Sequence, residues 1–328
     1  MTSIIEPKLH KATDLLLKGE VVAIPTETVY GLAASIESNE GLKKIFALKE
    51  RPFFDPLIVH VANFKQAATL TTDWLPLADY LARVFWPGPF TIVLPKASHV
   101  DPLITSGLDT VAIRYPAHPL AQELIHLVGP LAAPSANKFG HTSPTQPKHV
   151  QSEFPGANLL IVDGGTCEVG VESTVVSIDA EHVRILRPGA VTEEMIQAAL
   201  RKWSHPVAVS RGSSQASPGS LKHHYMPKIP LVIVEPQKTA SLAAELRLRI
   251  QNETGKPAQN AVELKLNDDP AIAARELYSE MRKISESGAD CIYVVNRSDR
   301  QGMWSAIWDR LSRAATLDLT DAHSKSPQ

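Results

Sequence analysis

The sequence predicts an α/β protein of two domains, an N-terminal domain on an open sheet and a smaller doubly wound C-terminal domain. Three observations predict it. The chain has 328 residues, and at about 100–200 residues per domain that suggests two. Short apolar runs ended by proline or glycine alternate with amphipathic segments through the first 200 positions or so. After a Ser-, Gly- and Pro-rich stretch, a regular strand–helix alternation begins.

In chain order, Glu6 to Lys18 reads as a helix, with Leu9, Ala12, Leu15 and Leu16 on one face and Gly19 as its stop. Val21 to Ile24 is a buried strand ended by Pro25. Asn39 is read as the cap of a helix through Leu42, Ile45, Phe46 and Leu48. Pro56 to Val61 is a strand and Trp74 to Phe85 a helix. The Pro87-Gly88-Pro89 turn leads into the strand Phe90 to Leu94. Thr110 to Tyr115 is a strand, Leu120 to Val128 a helix, and Leu131 to Ala133 a strand stopped by Pro134. Leu159 to Val162, Thr174 to Ile178 and Val183 to Leu186 are further strands, and Thr192 caps a helix through Met195, Ile196 and Leu200.

Composition changes after His205, and Ser210 to Lys228 reads as linker. Beyond it, the strands are Leu231 to Val234, Ala261 to Leu266 and Cys291 to Val295. The helices are Ser241 to Asn252, Pro270 to Glu286 and Ser305 to Ala315, and the tail from Asp318 is polar. The expected division is residues 1–205 as the first domain, 206–229 as the linker and 230–328 as the C-terminal domain.

Lys plus Arg is 33 and Asp plus Glu is 35, a formal net charge of −2. Binding to nucleic acid without sequence preference is driven by phosphate neutralisation, so this balance argues against it. The two cysteines, Cys167 and Cys291, match no metal-ligand spacing and no disulfide framework. No stretch approaches the apolar length of a membrane span, and the first residues lack a signal-peptide core. A reduced, cytoplasmic protein is expected.

The phosphate loop, the dinucleotide fingerprint and the nucleophile elbow are absent. His223-His224 lacks a spaced third metal ligand, and Cys167 has no identifiable base, so it reads as inert. Polar residues gather instead at strand ends: Thr28, Lys49, Arg51, His60, Arg114, Ser135, Asn137, Ser143, Ser173 and Arg187. Ligands of open α/β sheets sit there. The four cations predict a cationic pocket suited to a phosphate and a carboxylate. Taken singly, each arginine reads more often as a solvated surface charge, Pro25-Thr26-Glu27-Thr28 as a turn and helix cap, and Ser135-Ala136-Asn137 as a turn.

Taken together, the motifs resemble a family. Pro25-Thr26-Glu27-Thr28-Val29-Tyr30-Gly31-Leu32, Lys49-Glu50-Arg51-Pro52 and Pro56-Leu57-Ile58-Val59-His60 resemble the YrdC-like threonylcarbamoyl-AMP synthases. So do Trp86-Pro87-Gly88-Pro89-Phe90-Thr91, Arg114-Tyr115-Pro116, Ala133-Pro134-Ser135-Ala136-Asn137, Ser143-Pro144-Thr145, Ser173-Thr174-Val175-Val176 and Arg187-Pro188-Gly189. Ser217-Pro218-Gly219, His224-Tyr225 and Pro227 look like the linker of the long two-domain members, with Leu221 and Met226 as departures. Ser305-Ala306-Ile307 and Asp309-Arg310-Leu311 resemble the end of their C-terminal domain.

The resemblance implies a twisted open mixed sheet with a Rossmann-like C-terminal domain. It implies an enzyme, a nucleotidyltransferase making L-threonylcarbamoyladenylate and pyrophosphate from L-threonine, bicarbonate and ATP, with Mg²⁺ accompanying the ATP. A downstream tRNA threonylcarbamoyl transferase complex would use the product on tRNAs reading ANN codons, with no tight tRNA binding by this chain. The threonine site would be Thr28, His60, Arg114, Ser173 and the Ala133 backbone. The ATP site would be Lys49, Arg51, Asp55, Thr110, Ser135, Asn137, Ser143, Arg187 and Tyr225, with Lys49 and Arg51 catalytic. Asp55 stands where a neutral residue such as Asn is common. The competing reading is a non-catalytic RNA-binding or ribosome-associated module using the same face.

Overall fold

The structure, a computed structural model, describes residues 2–212, 224–236, 251–252, 255 and 260–320. The chain divides into two compact units, Met1–Phe139 with Ser143–Ser220, and Gly140–Thr142 with Leu221–Gln328.

The first unit is built on a ten-stranded sheet in the order β10-β9-β8-β4-β5-β3-β6-β2-β1-β7. Its strands are β1 (Val22–Ile24), β2 (Gly31–Ser35), β3 (Ile58–His60), β4 (Phe90–Pro95) and β5 (Thr110–Arg114). They continue with β6 (Leu131–Ala132), β7 (Leu160–Ile161), β8 (Thr174–Ile178), β9 (His182–Arg187) and β10 (Ala208–Arg211). The sheet is mixed: β3 with β5 and β4 with β8 are parallel, while β4 with β5 and β1 with β2 are antiparallel. Both faces are covered. In β1, Val22 and Ile24 join one apolar cluster with Ala12, Leu16, Leu124 and Ile125, while Ala23 joins the opposite one with Ile45, Phe46, Leu81 and Ile113. Side chains alternate along a strand, so a strand buried on both faces must be apolar throughout.

The helices covering these faces are α1 (Thr2–Leu17), α2 (Asn39–Lys49), α3 (Phe64–Thr69), α4 (Pro76–Phe85), α5 (Pro102–Thr105), α6 (Pro119–Val128), α7 (Pro147–Glu153) and α8 (Glu193–Leu200). Four of them, α4 to α7, begin on a proline, where a missing N–H costs nothing. The cap of α2 differs from expectation. Ser38, not Asn39, accepts from the Gly41 N–H at 3.0 Å, and Asn39 is the first helical residue.

Several elements were not anticipated. Strand β2 is one, and α3, α5 and α7 are short helices in segments for which the sequence predicts no element. Residues 208–211, at the start of the expected linker, pair with β9 and extend the first sheet. Ser217-Pro218-Gly219 and Leu221 lie outside the described residues.

The second unit is a four-stranded parallel sheet in the order β12-β13-β11-β14. It comprises β11 (Leu231–Val234), β12 (Ala261–Glu263), β13 (Cys291–Val295) and β14 (Leu317–Asp318), with helices α9 (Pro270–Glu286) and α10 (Met303–Ala314). Asp269 caps α9 through the Ala271 and Ile272 N–H groups. The expected helix Ser241 to Asn252 lies outside the described residues except for its last two. Leu317 and Asp318, where the tail was expected to begin, pair with β11 as an edge strand. Among the described residues no helix is long and apolar enough to cross a membrane.

Candidate active site

The Pro25–Leu32 run is a knot of hydrogen bonds ahead of β2. Thr26 Oγ1 donates to the Val29 carbonyl at 2.6 Å, so its 2.8 Å contact with Thr28 Oγ1 is donated by Thr28. The run is stitched to the 133–144 loop: Tyr30 N–H donates to the Pro144 carbonyl, Leu32 N–H to that of Pro134, and Ala136 N–H to that of Tyr30. Thr28 is buried completely.

Arg114 ends β5. Its neighbours across the strands are His60 on β3 and Thr91 on β4. Its Nη1 donates to Thr28 Oγ1 at 2.9 Å, and Thr91 Oγ1 contacts Ser173 Oγ at 2.7 Å. Thr28, His60, Arg114 and Ser173, four residues from four segments, are thereby linked around one strand end. The Ala133 N–H is already donated to the Ile58 carbonyl at 3.1 Å, so that residue has its carbonyl to offer. His60 is buried, and its Nδ1 lies 3.3 Å from the Ile58 carbonyl. Burial first, and the Arg114 charge second, push its pKa down to about 3, so the imidazole is neutral near pH 7.

Lys49 closes α2, and its Nζ donates to the carbonyls of Ser135 at 2.5 Å and Asn137 at 2.7 Å. Burial, aided by the Arg51 charge, lowers its pKa well below the ordinary lysine value. Glu50 ends the helix in the left-handed conformation at φ 52°, which turns the chain toward Arg51. Arg51 Nη2 lies 2.8 Å from Asp55 Oδ2, and the same guanidinium holds the Asp55 and Pro56 carbonyls. Thr110 opens β5 two positions before Ala112, the partner of Ile58, on the side of Pro56. It is separated from Arg114 by about 13 Å along the strand at ~3.3 Å per residue.

Ser143 Oγ donates to Glu172 Oε1 at 2.5 Å, and Arg187 holds Ser173 by both its carbonyl and its hydroxyl. A Cβ on Gly189 would stand 2.3 Å from the Thr174 nitrogen and 2.6 Å from the Ser173 carbonyl carbon. Only glycine admits that approach.

Two expectations change. The pocket is not simply cationic: Glu27, Asp55, Glu153 and Glu172 are buried in the same unit as Lys49, Arg51, Arg114 and Arg187. Glu27 pairs with Arg114 at 2.7 Å. Asp55 was expected at the nucleotide; Glu27, Glu153 and Glu172 were missed as site residues, although Glu27 and Glu172 sit inside or beside the quoted motifs. Tyr225 belongs to the second unit, at φ 65°. There it stacks on Tyr278 with ring centroids 6.0 Å apart, under the Arg310 guanidinium at 5.3 Å. Burial pushes the Cys167 thiol up to about 12, which agrees with an inert cysteine.

Residues 14–189 match the family described as "Telomere recombination", and residues 191–316 match "Threonylcarbamoyl-AMP synthase, C-terminal domain". The threonylcarbamoyl-AMP synthase of Pyrococcus abyssi is 38% identical over 94% of this chain and 94% of its own length. That of Bacillus subtilis is 39% identical over 94% and 93%. The crystal structure of P. abyssi Sua5 complexed with L-threonine superposes with a TM-score of 0.83 at 34% identity, over 96% of this chain and 97% of that one. The mixed sheet with polar groups linked at its strand ends, taken with these relatives, defines an α/β enzyme. The chain belongs to the threonylcarbamoyl-AMP synthase family.

Proposed function

We propose that this chain forms L-threonylcarbamoyladenylate and pyrophosphate from L-threonine, bicarbonate and ATP, acting as a nucleotidyltransferase ahead of a tRNA-modifying transferase complex. The observation that carries this reading is the linkage of Thr28, His60, Arg114 and Ser173 around the end of β5. The Arg187–Ser173 bonds connect that group to the residues assigned to ATP.

The threonine amine and bicarbonate condense to a carbamate with loss of water. A carbamate oxygen then attacks the α-phosphorus of ATP, and pyrophosphate leaves. This calls for charge neutralisation and in-line positioning rather than a covalent protein nucleophile. Arg51 and Arg187 supply fixed positive charge to the triphosphate, while Lys49 holds the Ser135–Asn137 loop in shape. Ser135, Asn137, Ser143 and Thr110 supply directional contacts to the nucleotide.

Among the described residues no three His, Cys, Asp or Glu side chains group to cage a metal. Mg²⁺ commonly keeps waters and binds through one or two carboxylates plus substrate phosphates, which fits an ion carried on the triphosphate. Asp55 and Glu172, whose charges both act on the buried Lys49, are the candidate carboxylates, and the ion would neutralise phosphate charge.

Incubation with ATP, L-threonine and bicarbonate tests the reading. Pyrophosphate release requires both threonine and bicarbonate, and the product has the mass of the adenylate. A hydroxyl-binding site rejects valine by leaving its own polar group unpaired. Release that is equal with valine, or independent of bicarbonate, overturns the assignment. Free tRNA binds only at about 10⁻⁴–10⁻⁶ M in physiological salt; a nanomolar, sequence-selective complex would favour the RNA-binding module instead.

A further inference from the structure

We propose that Glu27 is a positioning residue that sets the affinity for the amino-acid substrate by aiming Arg114 at its carboxylate. The inference rests on the reading above, in which Arg114 receives that carboxylate.

A guanidinium has five N–H donors: one on Nε and two on each terminal nitrogen. In Arg114 the Nε hydrogen goes to the Gly88 carbonyl at 3.3 Å. One Nη1 hydrogen goes to Thr28 Oγ1 at 2.9 Å, and one Nη2 hydrogen to Glu27 Oε1 at 2.7 Å. This leaves one hydrogen on each terminal nitrogen. Two guanidinium donors that point the same way bind a carboxylate bidentately. Glu27 therefore occupies the arginine without exhausting it, and it fixes the rotation that makes the remaining pair available.

The second oxygen of Glu27 does separate work. Its Oε2 accepts the backbone N–H of Ala117 at 3.1 Å. One carboxylate thus holds both the Arg114 side chain and the main chain three residues on, bracing the Arg114-Tyr115-Pro116-Ala117 segment against the Thr26–Val29 knot. Both members of the ion pair are buried. In such surroundings the pair's geometry is held far more tightly than at a surface.

Thr28 completes the polarity. Its hydrogen is committed to Thr26, and its oxygen already accepts from Arg114. Toward a substrate Thr28 can only accept, so it suits an ammonium or hydroxyl, while Arg114 can only donate and suits the carboxylate. The two neighbours thereby read opposite ends of an amino acid.

The test is Glu27→Gln. Two donors face the Glu27 carboxylate, but the amide has only one oxygen, so its NH₂ must meet Arg114 or the Ala117 N–H. Calorimetric titration would read the affinities for L-threonine, L-threoninamide and ATP. The expected result is that threonine binds about tenfold or more weakly, the scale of a hydrogen bond to a charged group. ATP affinity and threoninamide affinity stay within threefold of wild type, because threoninamide lacks the carboxylate. A purely structural role for Glu27 would weaken all three ligands together, and that outcome overturns the proposal. Unchanged threonine affinity also overturns it. If Glu27→Gln does not fold, Glu27→Asp keeps the charge but loses the reach to span both donors, and the same ratio decides. Arg114→Ala separates the two levels. If it leaves threonine affinity intact, the amino-acid site is elsewhere and the proposed function fails in its detail. If it abolishes binding while Glu27→Gln is silent, only the role of Glu27 falls.

Discussion

The ammonium of Lys49 is bonded to the carbonyl of Ser135 at 2.5 Å, which ties the end of α2 to a loop 86 positions later in the chain. The same ammonium holds the Asn137 carbonyl. This side chain is thus the scaffold of the 135–137 loop.

Lys49→Met keeps the apolar stem and removes the donor. Each carbonyl that loses its partner costs about 1–3 kcal/mol, so the variant unfolds at lower urea and binds ATP more weakly. Urea titration by circular dichroism, beside ATP calorimetry, checks both. Wild-type stability with lost ATP affinity would mean that the loop does not depend on this lysine.

Arg51 and Asp55 form a buried pair at 2.8 Å. Arg51→Ala weakens ATP binding by roughly 10–150-fold. It also destabilises the fold by about 3–5 kcal/mol, because Asp55 loses its buried counter-charge. The double variant Arg51→Ala/Asp55→Ala recovers much of the stability and none of the affinity. Thermal unfolding beside calorimetry separates the two losses, and a double variant no more stable than the single one counts against the pairing argument.

Gly189→Ala drives a methyl group into the Thr174 nitrogen and the Ser173 carbonyl carbon. Overpacking of this kind costs about 1–3 kcal/mol. The displaced atoms carry Ser173, so the KM for threonine rises more than the KM for ATP. Steady-state kinetics with each substrate varied in turn reads the difference.

His60 titrates at about 3 in the fold, against about 6.5 unfolded. Between these values the unfolded chain binds a proton that the folded chain does not. Stability at this position is therefore full above pH 6.5 and falls as pH drops toward 3, by about 1.4 kcal/mol per pH unit at the steepest. His60→Gln flattens that slope. Urea midpoints at pH 7, 6 and 5 for both proteins give the comparison, and parallel slopes would show that His60 is not the group responsible.

Strands such as β5, β8 and β11 were legible because apolar, β-branched runs mark segments buried on both faces. Strand β2 was not, because Gly31-Leu32-Ala33-Ala34-Ser35 has no β-branched residue; neighbours on both sides hold it extended. Strand β10 was hidden for a different reason. It lies at the sheet edge with three of its four residues exposed, so its sequence carries little apolar signal.

The sequence by itself determined the α/β class and the parallel second sheet. These follow from local rules, since periodicity, capping and motif spacing are written within a few residues of one another. Only the tertiary structure decided which charges meet. Glu27 and Arg114 are 87 positions apart, and Ser143 reaches Glu172 across 29. What brings each such pair to hydrogen-bonding distance is the register of β3, β4 and β5 and the stitching of the 26–32 and 133–144 loops. The interaction energy of two charges depends on their separation in space and the dielectric between them, and neither quantity exists in a linear chain.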